Sequence, residues 1–139
     1  IDDLRALAAA EGARGAEALA AGLAETLSHR ELLLKLLTVN LSEMEESCRD
    51  ERLADFKRTF AAAFGAVDRC FVAYCPRMDG PARKRALYAF FPFLYGVYPY
   101  TVSSEKQRRA IETAQIDFQT HSAYDLIRCF LEQLLGKVE

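Results

Sequence analysis

Residues 50–74 read DERLADFKRTFAAAFGAVDRCFVAY and carry the clearest periodic signal in the chain. Their apolar side chains recur at alternating intervals of three and four residues, at Leu53, Phe56, Phe60, Ala63, Val67, Cys70 and Tyr74, with Phe64 and Phe71 beside them. A strand repeats every two residues, so only an α-helix collects these side chains on one face. The pattern predicts a long helix that ends before Pro76, which has no backbone N–H to donate.

The composition is typical of one globular domain. The chain has 139 residues, 51% of them hydrophobic, which is enough to bury a core without disulfides or metal ions. Eighteen basic and twenty acidic residues give a net charge of −2, and no face gathers the Lys and Arg that phosphate binding requires. We expect a single domain over residues 1–139 that does not grip DNA by itself.

Neither a metal site nor a membrane span is predicted. The cysteines Cys48, Cys70, Cys75 and Cys129 form no CxxC pair, so we expect reduced thiols with a structural role and no cofactor. The longest apolar stretch, 89–100, falls short of the ~20 residues that a membrane helix needs. A cytoplasmic protein without a membrane partner is the expectation.

Three helices are predicted ahead of the long one. Ala, Leu and Glu dominate residues 1–10 and 16–27, and glycines separate these two runs. Ser28 followed by Glu31 fits a capping box, which would start a third helix over 29–46. Leucines all round that helix indicate that it is substantially buried.

After the long helix, Pro81 suits a first helical position and predicts a helix through Val97. Pro92 lies inside this helix and removes the hydrogen bond to the Tyr88 carbonyl, so a kink or an irregular turn is expected there. The run 98–102 reads as a break before the next helix.

Serines mark the starts of the last two helices. Ser103 or Ser104 can cap a polar helix that reaches about Phe118, and Ser122 can cap an apolar helix that ends at Leu135. The sequence offers no hairpin signal and no internal repeat. We therefore predict an all-α bundle of about seven helices.

The sequence gives little support for a catalytic function. A Ser or Cys nucleophile needs a base beside it, and His29 and His121 both fall at predicted helix starts, where solvation is the simpler explanation. Glu43, Glu45 and Glu46 form an acidic cluster that suits a solvated face better than a metal site. We predict no catalytic residue, no metal ligand and no enzyme activity.

The number and clustering of the aromatic residues need an explanation. The chain has nine Phe and six Tyr, concentrated between Phe56 and Tyr100. These rings either fill an ordinary core or line a cavity, since rings on a helix interrupted by proline pack poorly and tyrosines add hydroxyl groups to apolar walls. The residues alone leave both explanations open.

The order of several short segments resembles the C-terminal domain of TetR-family transcriptional regulators. These segments are Leu33–Leu37, Asn40–Ser42, Glu45, Phe56–Lys57, Phe93–Pro99 and Ala123–Gly136. Each match is degenerate alone, and the specificity lies in their order on a helical chain of suitable length. The resemblance spans nearly the whole chain.

The resemblance implies a small hydrophobic effector bound among the middle helices, a homodimer, and operator DNA held by an N-terminal helix-turn-helix domain. We expect no such DNA-binding domain within these residues, and residues 1–12 would end the helix that links the two domains. Effector binding would alter the spacing of the paired DNA-binding domains and, in a repressor, release the operator.

Helical spacing on this framework selects the candidate site residues. The predicted ligand-binding residues are Leu37, Asn40, Met44, Phe60, Phe64, Phe71, Tyr88, Phe91 and Tyr95. The predicted dimer interface, on the wide apolar face of the last helix, is Leu126, Ile127, Phe130, Leu131 and Leu134. An asparagine in an apolar stripe needs partners, so Asn40 either caps local backbone near Ser42 or points at a ligand.

A rival hypothesis needs no ligand. The same aromatic stripe would serve as a plain core in a helical scaffold or protein-interaction module. Such a module would lack a pocket and present a surface to a different protein.

Overall fold

A computed structural model describes residues 1–38 and 45–136, and all regular secondary structure in these ranges is helical. The α-helices are α1 (Asp2–Ala9), α2 (Ala16–Ser28), α3 (Glu31–Leu37), α4 (Asp50–Tyr74), α5 (Gly80–Val97), α6 (Glu105–Ala114) and α7 (Ala123–Leu135), with a 3₁₀ turn at Tyr98–Tyr100. The predicted all-α class is confirmed.

The long helix α4 has the predicted bounds, but its burial is uneven. All its buried residues lie between Ala66 and Tyr74, in the C-terminal half. There α1 packs along it, and the Cys70 thiol donates to the Leu4 carbonyl at 3.2 Å. The Tyr74 hydroxyl donates to the Leu7 carbonyl at 3.3 Å. Among the described residues, the N-terminal half of α4 is only partly covered, and we call it the open half of α4.

The centre of the core lies between α2 and α7, which make the most extensive contact of any two helices. Small alanines on α2 allow the two helices to approach closely. The fully buried side chains of this pair are Leu19, Ala20, Leu23, Ala24, Ile127, Leu131 and Leu135. This packing covers the inner half of the wide apolar face of α7.

The predictions for the third helix were wrong in two respects. No capping box forms, because Ser28 belongs to α2 and its hydroxyl donates to the Glu25 carbonyl, while Arg30 takes the N-cap position. The helix is not substantially buried either. Only Leu34 is buried, because a single helix face meets the core, and the neighbouring leucines are exposed by 69% at Leu32, 44% at Leu33 and 57% at Leu36.

The next helix, α5, begins as predicted at the Gly-Pro pair. The Asp79 carboxylate caps it by accepting the Ala82 N–H at 2.6 Å. The helix continues across Pro92 to Val97 and then tightens into the 3₁₀ turn at Tyr98–Tyr100. The expected break after Val97 is confirmed.

The two serine caps of the last helices are confirmed. The Ser104 hydroxyl accepts the Gln107 N–H at 3.1 Å, and the Ser122 hydroxyl accepts the Asp125 N–H at 3.0 Å. Helix α6 ends at Ala114 rather than at Phe118, because Gln115 adopts the left-handed conformation with φ 53°. Helix α6 buries no residue.

Candidate functional site

Five of the nine predicted ligand-binding residues converge on one groove between α4 and α5. Phe60 and Phe64 are one turn apart on the open half of α4, and Tyr88, Phe91 and Tyr95 follow one face of α5. Spacings of three, four and seven residues keep each set on a single helix face. We call this feature the aromatic groove.

Phe91 is the central ring of the aromatic groove. Its centroid lies 5.1 Å from that of Phe60 at 65° and 5.1 Å from that of Phe64 at 28°. Tyr88 lies 5.4 Å from Phe64, and Tyr95 lies 6.5 Å from Phe60. These separations are within the range in which aromatic pairs attract one another, so the rings stabilise the wall that they form.

The groove has a volume of about 360 Å³ and an almost wholly apolar wall. Small-molecule sites commonly measure ~300–1,000 Å³. Pro92 lines it too, a residue that sequence reasoning treated only as a possible kink although it lies four positions after Tyr88. Tyr88 is 63% exposed and forms the rim. The groove is suited to a flat, apolar molecule held by ring contacts.

The Tyr95 hydroxyl adds a polar group to one end of the aromatic groove. Desolvation raises the pKa of the Tyr95 hydroxyl, and the nearby Lys57 ammonium partly opposes this effect. Lys57 is itself paired with Glu45 at 2.7 Å. The Tyr95 hydroxyl therefore stays protonated at neutral pH and can donate or accept one hydrogen bond.

Of the other four predicted residues, the two that the structure describes, Phe71 and Leu37, do not line the groove. Phe71 is on the same face of α4 as Phe64, but two turns further on it is fully buried in the core. Leu37 is half-buried and packs against that core. Asn40 and Met44 lie outside the described residues. Periodicity placed Phe71 on the correct face, but it could not show where the burial along α4 changes.

The predicted dimer residues divide into two groups. Ile127 and Leu131 are fully buried within the chain, because α2 packs on that side of α7. Leu126, Phe130 and Leu134 are half-buried on the other side. The Phe130 ring stacks on Phe93 of α5 with centroids 4.1 Å apart and planes 5° from parallel. An interface on α7 can therefore use only the second group.

In the described part of the chain, no group of three or more His, Cys, Asp and Glu side chains could hold a metal ion. None of its helices combines the length and the apolar character needed to cross a membrane.

A match to a known domain family shows which family the chain belongs to. The model of the tetracyclin repressor-like C-terminal domain matches residues 1–132. The chain belongs to this family. No curated protein and no solved structure matches it. Domains of this family are regulatory rather than enzymatic, and the helical architecture agrees with the fold that the resemblance implied.

Proposed function

We propose that this chain is the ligand-sensing and dimerisation domain of a TetR-like transcriptional repressor, and that the aromatic groove binds its hydrophobic effector. The observation that carries the proposal is the convergence of five rings from α4 and α5 on one apolar groove. Family membership supports a regulatory role for the domain. Residues 1–139 act as one unit in this proposal, with no cofactor.

The position of the groove supports a route for the signal. A ligand between α4 and α5 contacts Phe60 and Phe64, and the same rigid helix holds α1 through Cys70 and Tyr74 about 15 Å further on. A ligand that prefers one spacing of α4 and α5 thereby biases α1. Operator DNA would be bound by a helix-turn-helix domain linked through α1.

The dimer is proposed to use the outer side of α7. Leu126, Phe130 and Leu134 leave apolar surface there, and Phe93 of α5 extends it by stacking on Phe130. A twofold contact would pair α5 and α7 of one copy with the same helices of the other.

Thermal unfolding tests the groove directly. The probes are neutral aromatic compounds of two or three rings: 2-naphthol, 9-hydroxyfluorene and naringenin. We expect at least one to raise the melting temperature by about 5–10 °C at roughly 100 times its Kd. Tyr88→Ala should remove most of that shift. Tyr100→Ala is the matched control, because Tyr100 is 55% exposed and lies outside the groove.

Two results would contradict the groove proposal. One is that no probe raises the melting temperature of the unmodified chain. The other is that Tyr88→Ala and Tyr100→Ala respond to the probes equally.

The exposed leucines of α3 favour a second candidate, a protein-interaction domain with no small-molecule ligand. Leu32 and Leu36 are 69% and 57% exposed on a short helix, which is typical of a surface that another protein covers. This candidate predicts that the probes have no effect on the melting temperature. It also predicts that Leu36→Glu alters assembly of the full regulator while Tyr88→Ala does not.

A further inference from the structure

A second cavity, of about 490 Å³, lies at the end of the molecule where three chain segments meet. These segments are the turn between α1 and α2, the turn between α4 and α5, and the end of α7. The cavity lies apart from the aromatic groove and shares no residue with it. Its lining includes the basic side chains of Arg14 and Arg77 and the apolar residues Pro76 and Met78.

Backbone contacts hold the walls of this cavity in place. The Gly15 N–H donates to the Tyr74 carbonyl at 2.8 Å and so joins the first turn to the end of α4. Gly15 has φ 106°, a conformation that other residues rarely adopt. The Met78 N–H donates to the Cys75 carbonyl at 3.0 Å and closes the second turn. The cavity is therefore formed before any ligand arrives.

Arg14 is oriented by two contacts. Its guanidinium lies 4.6 Å from the centroid of the Tyr74 ring, and its Nη2 donates to the Ala10 carbonyl at 2.6 Å. A guanidinium has five N–H donors, so most of its donors remain for a ligand. The planar group is held in one orientation, which favours two parallel hydrogen bonds to a carboxylate.

Two of the carboxylates nearest in sequence, those of Glu17 and Asp79, are engaged elsewhere. Glu17 pairs with Arg128 at 3.7 Å, and Asp79 caps α5. Among residues 1–38 and 45–136, neither Arg14 nor Arg77 has an ion-pair partner. The cavity thus combines two guanidinium groups with the apolar residues Pro76 and Met78, of which Met78 is 8% exposed.

We propose that this cavity binds a carboxylate that carries an apolar chain, such as a medium-chain fatty acid. The carboxylate is held by Arg14 and Arg77, and the chain lies against Pro76 and Met78. Ionised groups bound by guanidinium form stronger hydrogen bonds than neutral groups do, so the charged head supplies recognition and the chain supplies affinity. This site is independent of the aromatic groove.

Calorimetric titration with decanoate tests the proposal on the unmodified chain, with decanol as the uncharged probe of the same length. We expect saturable binding of decanoate, and binding of decanol weaker by about tenfold or more. Arg77→Gln should weaken decanoate binding by a similar factor without unfolding the chain, because Arg77 is exposed. Arg85→Gln is the matched control, an exposed arginine that does not line the cavity.

Tyr88→Ala separates this proposal from the groove. If decanoate binds through the cavity, Tyr88→Ala leaves its affinity unchanged and Arg77→Gln does not. The proposal is overturned if decanoate does not bind, if decanol binds equally well, or if Arg77→Gln and Arg85→Gln behave alike. Loss of decanoate binding in Tyr88→Ala alone would also overturn it, by assigning the carboxylate to the groove.

Discussion

Cys70 lies where α4 meets α1, and its thiol is fully buried. The thiol donates to the Leu4 carbonyl at 3.2 Å, a contact between residues 66 positions apart. Burial raises the pKa of the Cys70 thiol from 9.0 to about 11, although the Arg69 charge partly lowers it. The side chain therefore acts as a small apolar residue with one donor, and it attaches α1 to the long helix.

Replacing Cys70 tests this role. Cys70→Ala removes the donor and leaves the Leu4 carbonyl without its partner, so we expect the free energy of unfolding to fall by about 1–3 kcal/mol. Urea unfolding followed by circular dichroism measures the change. Cys129→Ala is the control, because Cys129 is exposed, and it should change stability by less than about 0.5 kcal/mol. Equal effects of the two substitutions would contradict the assigned role.

The raised pKa of Cys70 also predicts a dependence on pH. The unfolded thiol ionises near pH 9.0 and the folded one near 11, so the unfolded state loses its proton first. The contribution of Cys70 to stability is complete below pH 9.0 and is lost as the pH rises toward 11, by at most about 1.4 kcal/mol per pH unit. The stability difference between wild type and Cys70→Ala should shrink over that interval. A constant difference would contradict the shift.

At the scale of elements, one ion pair joins the two helices that form the aromatic groove. Asp68 of α4 accepts from Arg83 of α5 at 2.7 Å, and the two side chains are 37% and 28% exposed. Partial burial reduces solvent screening, so this pair should contribute more than a fully solvated one. It joins α4 and α5 outside the aromatic groove, one turn of α4 beyond Phe64.

Asp68→Ala should therefore lower the free energy of unfolding by about 0.5–1 kcal/mol. The matched control is Asp55→Ala on the same helix, since Asp55 pairs with Arg58 at 2.5 Å but both side chains are about three-quarters exposed. We expect the control to leave stability almost unchanged. Urea unfolding of the two variants in parallel decides the matter, and indistinguishable midpoints would show that the α4–α5 pair has no special role.

Periodicity predicted the elements well where one face of a helix meets the core. The periodic segment 50–74 coincides with α4, which ends before Pro76 as predicted, and both serine caps were predicted correctly, because these signals are local. Helix α3 was mispredicted because leucines all round a helix indicate burial only when several neighbours surround it. Here only Leu34 is buried, and Leu37 is half-buried against the core.

Part of the aromatic groove was also predictable from helical periodicity. Spacing identified Phe60, Phe64, Tyr88, Phe91 and Tyr95, because each helix contributes one continuous face. Spacing could not show that α4 passes from an open half to a packed half. It could not show either that α2 covers one side of α7, since both facts depend on contacts between distant parts of the chain.

At the scale of the whole molecule, the proposed dimer makes a separate prediction. One chain has a mass of 15.6 kDa, and light scattering after size-exclusion chromatography should report twice that value. Leu126→Glu places a charge on the outer side of α7 and should yield a monomer with unchanged helical content. Leu36→Glu, on the exposed face of α3, is the control and should remain a dimer. A monomeric wild type, or a dimeric Leu126→Glu, would contradict the proposed interface.

The central claim is that the aromatic groove binds an apolar aromatic ligand, and nuclear magnetic resonance of ¹³C-labelled phenylalanine and tyrosine rings tests it most directly. On titration with the probe that gives the largest thermal shift, we predict saturable changes at Phe60, Phe64 and Phe91, and none at Tyr100 or Phe118. Tyr100 and Phe118 are a suitable reference because they contact each other outside the groove. No change at the groove rings, or equal changes at all rings, would contradict the claim.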